Sequence, residues 1–275
     1  MSKNRRTALA LQRAIFADKQ YPRLRRAARA LFERHVREFA SRVADGRGPE
    51  IPQGDQERWT RELAATLRPQ IISMAEHGWN LAAVEVGAVA GKAVKVGGRA
   101  REFLARADFS RINLWIKQTS ESATLTTSTR LENMFARAAA NVTGDADHPV
   151  GVTPRELSDE ILKSGIVISE SRAKMLAHTG SIWSYNEGAV LRYEDAGVAV
   201  VEWLTADDDM RCPFCAEMNG KRIETGEPFF RSGDTFSFED RKMKIPTGAR
   251  GFDVRHPPLH PNCRCTLVPV FDETL

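Results

Sequence analysis

The first 211 residues of this 275-residue chain contain no cysteine; all four cysteines fall between positions 212 and 265. No disulfide can therefore staple the long N-terminal part, which must hold itself by packed apolar faces. At 42 % hydrophobic residues the chain is long enough for one large domain or two smaller ones with real cores. Long apolar runs are also missing. The most apolar stretch, Leu81 to Ala90, is interrupted by Glu85, and no window approaches the about 20 apolar residues of a membrane span. The charged start Met1-Ser2-Lys3-Asn4-Arg5-Arg6 is not followed by an uninterrupted apolar stretch with a cleavage site, so the expectation is synthesis in the cytosol, where disulfides are disfavoured. There is no Gly-rich phosphate loop, no His-Glu-x-x-His and no Gly-x-Ser-x-Gly, which removes the nucleotide-hydrolase, zincin and α/β-hydrolase readings. Internal repeats and low-complexity segments are absent as well.

Charge is present but unevenly placed. Residues 1–45 hold 12 Lys/Arg against 4 Asp/Glu, whereas the rest of the chain holds 28 against 32. A basic arm on a mildly acidic body fits contact with nucleic acid, contact with an acidic protein surface, or plain solvation.

Periodicity points to long helices. Residues 7–44 carry a sparse apolar stripe through Leu24, Leu31, Phe32, Val36 and Phe39, with Pro22 expected to kink or restart the helix. A second helix is expected from about Gln56 to Val96, bent at Pro69, with Gly87 and Gly91 on one face for close packing and Gly97-Gly98 at its end. A third carries Phe109, Ile112, Trp115 and Ile116, then Leu131, Met134 and Phe135. The Ser/Thr-rich stretch Thr119 to Thr129 between them predicts a turn or break. After a polar loop, Asn141 to Val152, the run Thr153-Pro154-Arg155-Glu156 reads as a capping box with proline at the first helical position. Ser169 is expected to cap a further helix through Ala173, Leu176 and Trp183. The β-branched segment Val198 to Leu204 reads as a strand. The fold class is α+β: a mostly helical N-terminal part, residues 1–150, followed by residues 151–275 with a small β-rich module.

The four cysteines stand in two close groups. Cys212-Pro213-Phe214-Cys215 is a Cys-x-x-Cys knuckle, and His260-Pro261-Asn262-Cys263-Arg264-Cys265 offers three more donors within six residues. Thiolates and imidazoles in this spacing suit a tetrahedral zinc ion. Five donors are one too many for such a site. Cys212, Cys215 and Cys263 are the firmest ligands, and the fourth is either Cys265 or His260. A donor surplus favours a closed structural site over a catalytic one, which needs an open position.

Other groups are weaker. Asp207-Asp208-Asp209 reads first as an acidic turn after a strand, and His178 as a surface or interface side chain. His256 and His260 beside the cysteines raise the alternative of a zinc-stapled His nuclease or other DNA-processing enzyme. Such enzymes need a His base on a ββα unit, and Pro257, Pro258 and Pro261 make this stretch poor helix and poor strand.

Taken in order, Arg172-Ala173 in a helix, Trp203-Leu204-Thr205-Ala206, the Asp run, Arg211-Cys212-Pro213-Phe214-Cys215, Asn219-Gly220-Lys221 and Pro258-Leu259-His260-Pro261-Asn262-Cys263-Arg264-Cys265 follow a known pattern. Over roughly residues 150–270 the chain resembles the Mu F-like head morphogenesis family of tailed bacteriophages, the minor capsid or minor head proteins. The resemblance implies a non-enzymatic virion component made in the host cytoplasm and placed in the head interior or portal region. It also implies the portal protein and inner capsid as partners, with roles in head assembly and in DNA packaging or ejection. Relatives often carry Arg-Thr-Glu where this chain has His178-Thr179-Gly180, so no role attached to that Arg or Glu transfers.

Overall fold

The computed structural model describes residues 3–89, 103, 105, 107–142, 153–205, 211–246 and 253–271; of these, the side chains of 3–20, 88–89 and 138–142 are not described. Asp207, Asp208, Asp209, Gly91, Gly97 and Gly98, most of the 141–152 loop and the side chains of the first arginines of the basic arm lie outside the described residues. The chain is α+β and mostly helical. Four long helices come first: α1 (Lys3–Ala44), α2 (Gln53–Val89), α3 (Ser110–Val142) and α4 (Pro154–Asp195). They are followed by β1 (Val200–Leu204), the one-turn helix α5 (Pro213–Met218), β2 (Arg222–Glu224), β3 (Thr235–Phe238), β4 (Arg241–Lys244) and β5 (Thr266–Val270).

The helices are longer than local propensity predicts. Pro22 and Pro69 lie inside α1 and α2 rather than at their ends. The expected break at Thr119–Thr129 does not occur. There the hydroxyls of Thr126, Thr127 and Thr129 donate to the carbonyls of Ser122, Ala123 and Leu125 at 2.8, 2.7 and 3.0 Å, which satisfies them without unwinding the turn. Ser169 likewise caps nothing. It sits in the middle of α4, buried, and its Oγ donates to the Gly165 carbonyl at 2.8 Å. The capping box is where the sequence puts it: Thr153 N donates to Glu156 Oε2 at 2.8 Å and Glu156 N to Thr153 Oγ1 at 3.3 Å. Helices α1 and α4 end on Gly46 and Gly197, both left-handed (φ 70° and 68°). In each case the next residue's N–H returns to a carbonyl five positions back, Arg47 to Arg42 and Val198 to Tyr193, at 3.0 Å. Glycine adopts that conformation without a Cβ penalty.

The chain forms two compact units. One comprises Leu24–Leu67 and Ile116–Leu176; the other comprises Met1–Arg23, Arg68–Trp115 and Ala177–Leu275. In the first, Val36, Phe39, Val43, Trp59, Leu131 and Ile161 make a buried cluster. Its surface is laced with ion pairs. Arg25 and Arg29 meet Glu170, Arg34 meets Glu62 at 2.6 Å, and Arg58 meets Glu38 at 2.7 Å. Much of the positive charge of α1 is thus matched within the chain, while Arg23 and Arg26 are exposed.

In the second unit α2 and α4 touch backbone to backbone. A Cβ on Gly78 would collide with the Tyr185 carbonyl, and one on Gly188 with the Ala75 carbonyl. Close approach here rests on Gly78 and Gly188; the expected Gly87 and Gly91 pair includes Gly91, which lies outside the described residues. Beside this crossing the Tyr193 hydroxyl donates to the buried Glu85 carboxylate. The three-stranded antiparallel sheet β2-β1-β5 covers the end of α4, with Val201 opposite Ile223 on one side and Pro269 on the other. The expected strand is thus observed as β1, at the sheet centre. Its Val201 and Trp203 enter a core with Tyr193, Met218, Phe236, Leu267 and three of the cysteines. Strands β3 and β4 form a separate hairpin. Because the atoms a Cβ would meet at Gly188 are backbone, Gly188→Ala is expected to cost about 3 kcal/mol, as overpacking of a tight contact does. Thermal unfolding should register this as a Tm lower by about 6–12 °C.

Candidate metal centre

Each half of the site is built locally before the two meet. In the first, Cys212 is the N-cap of α5 and Pro213 takes the first helical position. The turn folds the chain so that Cys215 N donates to Cys212 Sγ at 3.3 Å, which aims both sulfurs to one side. Thr205, at the end of β1, donates to the Cys215 carbonyl at 2.6 Å and ties the knuckle to the sheet. In the second half, Cys263 N donates to the His260 carbonyl at 3.1 Å. Asn262 takes a left-handed conformation (φ 62°), one that asparagine tolerates better than most residues. The turn brings His260 and Cys263 to the same point. Cys265 then enters β5.

The two halves converge although 44 residues separate them. Cys212 Sγ lies 3.0 Å and Cys215 Sγ 3.1 Å from His260 Nε2, and Cys215 Sγ lies 3.7 Å from Cys263 Sγ. Two overlapping triads result, Cys212–Cys215–His260 and Cys215–Cys263–Cys265, with Cys215 common to both. All five residues singled out from the sequence are therefore together, and the groups are close enough to hold a metal ion. Sulfurs bound about 2.3 Å from one tetrahedral ion stand roughly 3.7 Å apart, matching the Cys215–Cys263 separation. His260 Nδ1 is 2.8 Å from the Pro261 carbonyl. A carbonyl only accepts, so Nδ1 carries the proton and Nε2 keeps a free lone pair facing the sulfurs, the tautomer a metal ligand needs.

The electrostatics agree with a cation among these donors. The hydrogen bond with Cys263, then that with Cys265 and burial, push the Cys215 thiol far up. For Cys263 the hydrogen bond with Cys215 lowers the thiol, but the effect of Cys265 and burial outweighs it and leaves it at about 12. Cys265 is pulled down to about 3, first by hydrogen bonding from Cys215 and then from Cys263. One thiolate is thus comfortable in the cluster and further ones repel it. A divalent ion reverses that cost. A small cavity of about 20 Å³ lies among the donors and is also lined by Thr205, Arg211, Asn262 and Arg264.

A buried charged group lies beside the second half-site, in the same unit. Glu187, on α4, accepts from His256 Nε2 at 3.0 Å and from Arg111 Nε at 2.8 Å. His256 Nδ1 is 2.6 Å from the Pro257 carbonyl, so both ring nitrogens are engaged. Trp183 packs against the His256 ring and stacks on Trp115 with centroids 4.7 Å apart. His178 is half-buried, with Nε2 3.1 Å from the Cys263 carbonyl. Periodicity pointed to none of Arg111, Asn186 or Glu187. Asn186 and Glu187 lie in a helical stretch, 180–191, that is buried throughout. Polar groups persist in such a place only when partnered.

Burial alone would raise the Glu187 carboxyl. The hydrogen bond from His256 and the Arg111 charge outweigh it and hold the group below its ordinary value. A depressed carboxyl contributes stability above its unfolded pKa, and that contribution fades as pH falls through the folded value. Glu187→Gln is expected to cost about 3 kcal/mol near neutrality, because the Arg111 guanidinium loses its counter-charge. The penalty should shrink at low pH, so Tm measured against pH should show the variant and the native chain converging on the acid side.

No curated protein and no solved structure matches the chain. A family model does: that of the phage Mu protein F like proteins, over residues 149–268. That span contains α4, most of the sheet and every candidate ligand, so this part of the chain is similar to the Mu F-like phage head morphogenesis proteins.

Proposed function

We propose that the protein is a non-enzymatic minor head component of a tailed phage, and that its C-terminal module is held by one structural zinc ion. The head-protein reading rests on the family match over residues 149–268. The zinc reading rests on the convergence of four cysteines and one histidine from two distant segments. Cys212, Cys215 and Cys263 would bind the ion. His260 is the fourth ligand that the distances favour, since its Nε2 lies within 3.1 Å of both sulfurs of the first knuckle. Cys265 sits deeper, 3.7 Å from the Thr205 hydroxyl. When bound, zinc would supply no reaction; it would close the 44-residue excursion that carries α5, β2, β3 and β4.

In this reading residues 1–150 dock on the portal or the inner capsid, and the module stays folded in a crowded particle without a large core of its own. No described helix is long and apolar enough to cross a membrane. Contact with DNA through the basic arm is the weaker part of the reading, because Arg25, Arg29 and Arg34 already face carboxylates. Binding of the whole chain to duplex DNA should therefore be feeble at 150 mM salt, without the steep loss between 50 and 200 mM that marks neutralisation of many phosphates.

The competing reading is a zinc-stapled His nuclease. Against it stands the His256 ring, buried, with one nitrogen on a carbonyl and the other on Glu187, so that neither nitrogen faces a substrate. Detection of the chain by mass spectrometry in purified, DNase-treated particles would support the head-protein reading; its confinement to the infected-cell lysate would overturn it. For the metal, chelation of purified protein is expected to release about one zinc per chain and lower Tm by 10 °C or more, and Cys212→Ser or Cys263→Ser should do the same. Identical melting with and without metal would remove the clamp.

A further inference from the structure

We infer, on the strength of the zinc reading above, that helix α4 is a template that preforms the His260–Cys265 half-site before metal arrives, with Asn186 and His178 as its positioning residues. Neither is a ligand. Asn186 Oδ1 accepts from Leu267 N at 3.0 Å and from Thr266 Oγ1 at 2.9 Å, while its Nδ2 reaches the Cys265 carbonyl at 3.5 Å and the Ile182 carbonyl at 2.9 Å. His178 Nε2 donates to the Cys263 carbonyl at 3.1 Å. Thr179 Oγ1 accepts from Asn262 N at 3.4 Å. Glu187 holds His256, four residues before His260, at 3.0 Å. Three side chains of one helix thus grip the backbone at and beside Cys263 and Cys265, and a fourth holds the His256 ring.

Regular secondary structure explains only part of this. Residues 256–265 belong to no strand or helix, so their backbone groups need partners from elsewhere. α4 provides them from a rigid element whose position is fixed by the Gly188–Ala75 contact. The Cys212–Cys215 half is held differently. It depends on its own turn and on Thr205, and the segment after it packs as short strands. Metal binding therefore proceeds on an asymmetric site: the second half waits on the helix, and the first closes over the ion. Outer partners that orient ligands in this way carry 10- to 100-fold of metal affinity.

Cobalt(II), whose thiolate charge-transfer and d–d bands report a tetrahedral sulfur site, is the probe. The full-length chain is titrated after chelation, and the fraction bound in competition with a chromophoric chelator gives the affinity. Asn186→Ala and His178→Ala are each expected to weaken Co(II) binding at least tenfold while keeping the native band positions, since the ligands themselves are unchanged. His178 is half-buried, so its variant remains informative if Asn186→Ala fails to fold. Native affinity in the folded variants would overturn the template. Absence of any tetrahedral Co(II) spectrum in the unaltered chain would instead sink the zinc reading on which it rests. Hydrogen exchange on the metal-free, unaltered chain gives the independent arm. The amides of Asn262 and Leu267 should stay protected while those of 213–224 exchange fast; equal loss of protection in both halves contradicts the preformed half-site.

Discussion

Two short segments, each rich in soft donors and 44 residues apart, must meet at one point for this module to exist. The meeting of Cys212 and Cys215 with His260, Cys263 and Cys265 is the constraint on which the rest of the second unit depends. Among the described residues, the elements between the two segments are the end of α5 and three short strands, and the β3–β4 hairpin buries a single residue, Phe236. Elements this small do not pay their ordering entropy through apolar burial alone. A metal ion bound by these donors would join the ends of the long excursion, as a disulfide does in other domains.

The long helices give that point a fixed address. α4 runs without interruption from the Thr153–Glu156 capping box to the Gly197 turn, and its C-terminal half is buried on nearly every side. Its contact with α2 at two glycines removes the slack that side chains would leave, and the sheet packs on its end. His178, Thr179, Asn186 and Glu187 on this part each meet a partner in the segment that carries the ligands. Arg111 and Glu187 belong to the same arrangement. A charge pair sealed inside the unit is stabilising only while intact, which makes it a device of orientation more than of stability.

The donor set, the strand Val200–Leu204, the capping box and the mostly helical character were legible because each rests on local chemistry: ligand spacing, β-branching, a side chain closing on its own helix end. The readings that failed share one cause. Ser/Thr-rich Thr119–Thr129 and Ser169 were expected to interrupt helices because their hydroxyls compete for backbone groups. Here the same hydroxyls bond to carbonyls one turn back and the helix continues, since tertiary burial of Thr124, Thr127, Ser128 and Ser169 fixes the backbone. The charge of the basic arm was legible, but the pairing of its described arginines was not. Twelve positive residues in 45 look like a surface for an anion, but Glu33, Glu38, Glu62 and Glu170 come back to several of them from the same or other helices. Asn186 and Glu187 were invisible because their partners lie about 80 and 69 residues away, a distance that periodicity does not span.

The central claim is that one ion joins the two segments through sulfur. X-ray absorption at the zinc edge on protein purified without chelator or affinity metal tests it most directly. The expected result is one zinc per chain with three or four sulfur neighbours at about 2.3 Å and, where His260 completes the shell, one nitrogen at about 2.0 Å. Protein that is folded and soluble with no stoichiometric metal, or zinc surrounded by oxygen and nitrogen alone, would contradict it.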